Sequence, residues 1–339
     1  MKKDALGVIF RVEKRLGRGD LFEIISHFSS GKSETTVFQH EYTDGFGALL
    51  KESEKWSGAQ ITLPPFKLAT RFSPSSIASA LKGLKEDFSA AQTRWKSLDV
   101  NAPYTPDHLA WRVFSRSATE QLLTTSRRLG ISVNTLILTA VNQAVAEHLL
   151  HESQRECRWL LPVNMRRKPN ELRSMANHTS SVGVTLHRDD SAEQIEANYR
   201  RSINKWHALS AETLAQSITK LGEERLYHLA QKRGSTNFRI GSFSNLGIWN
   251  FPTAGVDDRW PMAITITPPA GTPCFPVGVG IITWQGHLSL SLRLHAGLIN
   301  QDPHLSEFLL GEFTRRLTRM VDCPLETLRS SAAPESAPN

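Results

Sequence analysis

The sequence predicts an α/β chain folded as two lobes. Three observations point there. The 339 residues, at roughly 150 per domain, leave room for two cores. Strand-like and helix-like patterns alternate along the chain. There is also a weak internal echo: a strand leads to His40 and then a helix, and near the C-terminus a strand leads to His295 and then a helix. The second copy reads His295-Ala296-Gly297-Leu298-Ile299-Asn300. It has Ile299 and Asn300 where the first has Asp44 and Gly45, so only the first copy keeps a full motif.

Residues 7–12 and 21–28 read as short strands separated by the glycine-rich turn Leu16–Asp20. The Arg18-Gly19-Asp20 triplet within it is read as a plain turn. Gly31-Lys32-Ser33 marks another turn. A strand over 35–40 then runs into His40, and 46–56 has helical character. Pro64, Pro65 and Pro74 make 57–74 a loop, 75–95 looks helical, and Pro103 and Pro106 bracket a further loop.

The clearest helices follow. Ser117 and Glu120 form a capping-box pattern, and Gly130 closes that helix. The next helix carries an apolar stripe through Leu136, Ile137, Ala140, Val141, Ala144, Val145 and Leu149. Strands are expected at 158–164 and 179–187, and helices at 191–209 and 210–233. The last third reads mostly as strand, at 237–245, 260–267, 277–284 and 288–295. In the final one Leu288, Leu290, Leu292 and Leu294 alternate with Ser289, Ser291, Arg293 and His295, as in a half-buried strand. Gln285-Gly286 is its hairpin turn. A helix follows, with Leu305, Phe308, Leu309, Phe313, Leu317 and Met320 on one face. Residues 330–339 are small and polar and are expected to be disordered.

Composition bounds the function. Apolar residues make up 40% of the chain, charged residues 22%, and mean hydropathy is −0.31, which is a globular balance. No apolar run reaches the length of a membrane span. The opening Met-Lys-Lys is followed at once by Asp4, and the apolar stretch 5–10 stops at Arg11, unlike a signal peptide. Cys157, Cys274 and Cys323 are too few and too dispersed for a disulfide framework or a four-cysteine zinc site. A reducing, cytoplasmic setting is therefore expected. The net charge of +7 suits an anionic partner. The densest basic cluster, Arg155 to Arg173, has only Trp159 among its aromatics, which argues against nucleic acid as the primary ligand. His148 and His151 with their flanking glutamates supply at most half a metal site. Gly278-Val279-Gly280 lacks the third glycine of a dinucleotide loop, and neither a G-x-S-x-G elbow nor a Walker A motif is present.

The sharpest local feature is H-x-x-x-D-G at 40–45. Histidine titrates near neutrality and serves as a general base. Asp44 can orient its surroundings, and Gly45 permits a tight turn off the strand. On its own the pattern fits a histidine in a core or turn equally well.

The segment Gln39-His40-Glu41-Tyr42-Thr43-Asp44-Gly45 resembles the motif of the CoA-dependent acyltransferase superfamily. This group includes chloramphenicol acetyltransferase, condensation domains, wax ester synthases and alcohol acyltransferases. Members often have H-H-x-x-x-D-G, and Gln39 stands at the first histidine here. Four further segments match in order: 129–138, Leu161-Pro162-Val163-Asn164-Met165-Arg166, Asn177-His178-Thr179-Ser180, and Ser244-Asn245-Leu246-Gly247. The resemblance spans about 20 to 320.

It implies an α+β sandwich of two chloramphenicol-acetyltransferase-like lobes around a channel. The N-terminal lobe, 1–110, would be shortened, since relatives carry more chain before the motif. The C-terminal lobe would cover 111–329. The implied activity is acyl transfer from CoA or a phosphopantetheine carrier to an alcohol or amine, with no bound cofactor. The partners are then the acyl thioester, the small acceptor and, for a carried donor, its carrier protein. His40 would be the base, with Asp44, Gly45 and Arg166 supporting its loop, and Asn245 and Ser244 shaping the channel. The second reading is a catalytically inactive condensation-like partner module.

Overall fold

The computed structural model describes residues 5–17, 19, 21–58, 60–61, 63, 92–103, 105, 108–166, 168–204, 208, 212, 215–217, 219–233, 239–251, 260–269, 271–299 and 302–331. Along the chain run α1 (Ala5–Arg15), β1 (Leu21–His27), β2 (Ser33–Gln39), α2 (Gly45–Ser57), β3 (Leu109–Phe114), α3 (Arg116–Leu129) and α4 (Val133–His148). Next come β4 (Glu156–Asn164), β5 (Thr179–His187), α5 (Ala192–Asn204), α6 (Glu223–Arg233), β6 (Gly241–Trp249) and β7 (Ala263–Ile266). The chain continues through β8 (Val277–Trp284), β9 (His287–Leu294), α7 (Ala296–Ile299), α8 (Leu305–Val321) and β10 (Thr327–Ser330).

A seven-stranded mixed sheet runs in the order β10-β3-β9-β8-β6-β4-β5, and a three-stranded sheet in the order β2-β1-β7. The larger core lies between the seven-stranded sheet and its helices, where Leu288, Leu290, Leu292 and Leu294 of β9 join apolar residues of α3, α4 and α8. Each such fully buried side chain contributes about 1.5–3 kcal/mol. The smaller core gathers Phe22, Ile24, Leu49, Leu50 and Trp56 with Trp249 and Trp284 from the ends of β6 and β8. The two halves of the chain thus share a core, and they also share a sheet. β7 pairs antiparallel with β1, Ile24 opposite Ile266 and His27 opposite Ala263. A boundary at residue 110 therefore leaves the first lobe's sheet without its third strand.

The β9 strand differs from expectation. All eight of its residues are buried. The period of two is there, but the polar face is covered by β7 and β1 rather than by water. Thr265 Oγ1 lies 3.0 Å from His27 Nε2 and 2.7 Å from Ser289 Oγ. Ser291 donates to the carbonyl of Ile266. The Arg293 guanidinium donates to Glu23 Oε2 at 2.8 Å and to the Pro268 carbonyl at 3.1 Å. A buried polar seam thus joins the two sheets. A Cβ at Gly280 would lie 2.4 Å from the Ile266 carbonyl oxygen, so that close approach requires glycine. Burial in the seam lowers the His27 pKa to about 4, helped by the nearby Arg329 charge.

Other expectations shift. Residues 7–12 are helical within α1, not a strand. The apolar run is short enough to fit either period, and the basic Arg11, Lys14 and Arg15 at i, i+3 and i+4 share one helical face. The cap of α3 is Ser115, which accepts from the Ala118 N–H, rather than Ser117. β3 continues to Phe114, and the Ser115 N–H still bonds the Glu326 carbonyl, so the helix begins just after it. Gly130 does close α3, at φ 66°. The single helix expected over 210–233 is interrupted at Gly222, φ 88°, before α6 begins. Residues 75–91 lie outside the described residues, and Trp95 forms a β-bridge with Leu150 instead of ending a helix. β6 is displaced from the expected 237–245, and β7 is a shorter strand inside the expected 260–267. Gln285 and Gly286 form the β8–β9 turn with φ of 51° and 82°. Ser330 lies in β10 and Ser331 bonds Trp111, so order extends two residues into the expected tail; 332–339 lie outside the described residues. Among the described residues no single helix is long and apolar enough to cross a membrane.

Candidate active site

His40 is the first residue after β2, in a turn rather than on the strand itself. The Tyr42 and Thr43 N–H groups fold back onto the Gln39 carbonyl and set that turn. The turn ends at Asp44, which caps α2: its Oδ1 accepts from the Gly47 N–H at 2.8 Å. The His-to-Asp spacing therefore spans one compact loop between a strand end and a helix N-terminus.

Asp44 and Arg166 are both 1% exposed. Arg166 donates NH1 to Asp44 Oδ2 at 2.9 Å and NH2 to Oδ1 at 3.0 Å, a bidentate fork. Asp44 Oδ2 also accepts from the His178 N–H at 2.8 Å and from Thr179 Oγ1 at 3.3 Å. The guanidinium completes its bonds on the carbonyls of Glu171, Ser174 and Ala176 and on Asn164 Oδ1, and lies over the Phe46 ring at 4.5 Å. Every polar group of this buried pair is satisfied, the condition under which such a pair is tolerated.

Residues 177–179 grip the loop at both ends. Asn177, buried, donates Nδ2 to the His40 carbonyl at 3.1 Å, and its Oδ1 accepts from the Thr179 N–H. His178 is half-buried, with Nε2 2.9 Å from Ser174 Oγ. The His40 ring rests against two phenyl rings, Phe10 of α1 at 4.8 Å and Phe22 of β1 at 4.6 Å between centroids. Helix α1 is held beside the loop by ion pairs of Arg11 and Lys14 with the buried Glu41, and by pairs of Arg11 and Arg15 with Glu223 and Glu224 of α6.

Gly45 is not a turn. It is the first residue of α2, and its smallness matters for packing: a Cβ there would lie 3.2 Å from Ile266 Cδ1 and 3.3 Å from the Leu246 methyls. Leu246 belongs to the Ser244–Gly247 segment, where β6 bulges between the paired Asn245 and Ile248. Gly247 adopts φ 81° there and donates its N–H to Asn245 Oδ1 at 2.7 Å. Asn245 Nδ2 donates to Asn134 at the start of α4, and Ser244 stands in register opposite Gly280. So His40, Asp44, Gly45 and Arg166 form one assembly, which the bulge meets through Leu246. The side chain of Asn245 is directed to α4.

The second histidine of the internal echo is also real in geometry. His295 follows β9 and precedes the short α7, and its Nδ1 accepts from the Gly297 N–H. It is buried, which lowers its pKa, with Asp99 opposing and His108 adding to the shift. Ile299, at the Asp44 position of the echo, is the last residue of α7 rather than a residue before a helix, so the likeness ends at the histidine. At the other histidine pair singled out from sequence, His148 Nε2 lies 3.8 Å from Glu147 and 4.0 Å from Glu312. Among the described residues no three His, Cys, Asp or Glu side chains gather as metal ligands would.

Asn177, Phe10 and Phe22 were not singled out as site residues from sequence. Asn177 carried a signal, since the turn that contains it sits 13 residues after Asn164 in the segment following Arg166. Phe10 and Phe22 carried none, because only the fold brings them to His40.

No family model matches the chain, and no curated protein sequence does. Solved structures do. The chain superposes on the TRI3 trichothecene 15-O-acetyltransferase of Fusarium sporotrichioides with a TM-score of 0.61 at 10% identity, covering 94% of this chain and 75% of that one. It is similar to the first condensation domain of the CDA synthetase, with a TM-score of 0.54 at 13% identity, covering 96% and 74%. It is similar also to a condensation domain of the enacyloxin polyketide synthase, with a TM-score of 0.54 at 14% identity, where it spans 86% of itself and 59% of the other chain. The chain thus has the two-lobed fold of these condensation domains and of this acetyltransferase.

Proposed function

We propose that this protein is an acyltransferase that moves an acyl group from a CoA or phosphopantetheine-carrier thioester to an alcohol or amine, with His40 as general base. The observation that carries the reading is the loop 40–44, fixed at Asp44 by the buried fork from Arg166 and at His40 by Asn177. A base presented from so constrained a loop suits proton abstraction on a fold shared with acetyltransferases and condensation domains.

In this reading the acceptor O–H or N–H meets the His40 imidazole. Nδ1 of that ring is buried, so this reading places the acceptor at Nε2. As the acceptor heteroatom attacks the thioester carbonyl, its proton passes to Nε2. The tetrahedral intermediate then collapses, the C–S bond breaks, and the departing thiolate takes the proton back. No acyl-enzyme forms, because holding both substrates together supplies much of the rate. Asp44 and Arg166 transfer no proton in this scheme and keep the base in place.

The test is thiol release from a panel of acyl-CoAs and acyl-phosphopantetheine carriers with alcohol and amine acceptors. Wild type is expected to give acceptor-dependent release. His40→Ala, folded by circular dichroism, is expected to lose about 10²- to 10⁴-fold, the usual contribution of a general base. A folded wild type that releases no thiol from any donor would overturn the reading in favour of a non-catalytic partner module.

A further inference from the structure

The loop bonds described above fix where the His40 backbone lies, but not the plane of its ring. The torsion that sets that plane is soft and roughly two-fold, so contacts of the ring itself decide it. Phe10 supplies one such contact, on the face of the ring. Its ring stacks on His40 with centroids 4.8 Å apart and planes 12° apart, nearly parallel, whereas Phe22 is tilted by 41°. Phe22 belongs to the fully packed core of β1, and Phe10 arrives from a separate helix. That helix is tied down next to the motif itself, through Arg11 and Lys14 to Glu41, the residue following His40.

We infer that Phe10 is a positioning residue for His40, holding the imidazole plane in the orientation from which Nε2 accepts a proton. This rests on the acyl-transfer reading for its kinetic consequence, but the positioning itself does not. A flat aromatic face is what the stack requires. Leucine keeps the apolar bulk of Phe10 and loses the face, while tyrosine keeps both. A misplacement of about 1 Å in a reacting group costs on the order of 10²-fold, so partial loss of ring orientation costs less than deleting the base.

The experiment compares wild type, Phe10→Leu and Phe10→Tyr in two measurements. In steady-state kinetics Phe10→Leu is expected to lower kcat by about 10-fold with KM within about two-fold, and Phe10→Tyr to restore kcat. In proton NMR the His40 ring protons of wild type are expected upfield, shifted by the ring current of the stacked phenyl. That shift should vanish in Phe10→Leu and persist in Phe10→Tyr, with His40→Ala assigning the resonances. Unchanged kcat in Phe10→Leu, equal losses in the leucine and tyrosine variants, or His40 protons without a Phe10-dependent shift would overturn the inference. If wild type transfers no acyl group, the acyl-transfer reading falls, and the NMR comparison alone decides whether Phe10 orients His40.

Discussion

Replacing Asp44 probes the assembly at its centre. The carboxylate receives five hydrogen bonds, from Gly47 N, two Arg166 nitrogens, His178 N and Thr179 Oγ1. In Asp44→Ala all five lose their acceptor. The Arg166 guanidinium then remains buried with only carbonyl and amide oxygens around it, and no countercharge. Breaking a buried pair from one side costs about 3–5 kcal/mol. Loss of the helix cap accounts for about 1 kcal/mol of that sum. Asparagine is an equally good cap and keeps one oxygen, so Asp44→Asn isolates the charge and should lie about 1 kcal/mol above Asp44→Ala. The assay is urea unfolding followed by both circular dichroism and tryptophan fluorescence, reading the midpoint shift at constant slope. If both variants unfold within about 1 kcal/mol of wild type, the fork does not hold this loop, and the argument that it presents His40 fails with it.

Two further predictions address the seam and the loop packing. The His27 pKa of about 4 lies below its unfolded value of 6.5. Between those values the unfolded chain binds more protons than the folded one, so stability falls as pH drops through that window. About 2 kcal/mol should be lost between pH 7 and pH 5, and His27→Gln should remove that much of the slope in denaturation at the two pH values. His287 and His295, both lowered by burial, act in the same direction and set the slope that remains; a His27→Gln slope equal to wild type would refute the assignment. At Gly47 a Cβ would lie 2.9 Å from the Met175 carbonyl oxygen, whereas at Gly45 it meets only side-chain methyls. Gly47→Ala should therefore cost more stability than Gly45→Ala, by roughly 1–3 kcal/mol, and thermal melts that order them the other way would show that the Met175 segment yields freely.

What could be read in the sequence was what local pattern controls. The alternation in β9, the glycine closing α3 and the H-x-x-x-D-G spacing each depend on a few neighbouring residues, and each has a counterpart in the structure. The polar face of β9 was legible as polar but not as buried. Ser289, Ser291 and Arg293 look like solvent positions until β7 and β1, distant in sequence, cover them. Residues 7–12 were read as a strand because six apolar-rich residues fit either period, and only packing against His40 and α6 decides for a helix. At the site, the roles of Asp44 and Arg166 as supports of the loop followed from resemblance, and the grips of Asn177, His178 and Thr179 did not. Asn177 looks like any turn asparagine in one dimension. Phe10 lies 30 residues before the ring it touches, with two strands between.

The pairing of β7 with β1 also bears on how the protein is made. On a ribosome, β1 and β2 emerge before β7 and form a hairpin with one edge still open, since the strand that closes it ends at Ile266. About 230 residues must follow β2 before that strand exists, which at roughly 5–20 residues per second is about 10–45 s of synthesis. Throughout that interval the β1 backbone and the underside of the motif loop, where Ile266 meets Gly45, have no native cover. The N-terminal lobe therefore cannot finish folding on its own schedule. Its completion is timed by the second half of the chain, and the candidate catalytic loop gains its final packing among the last steps of maturation.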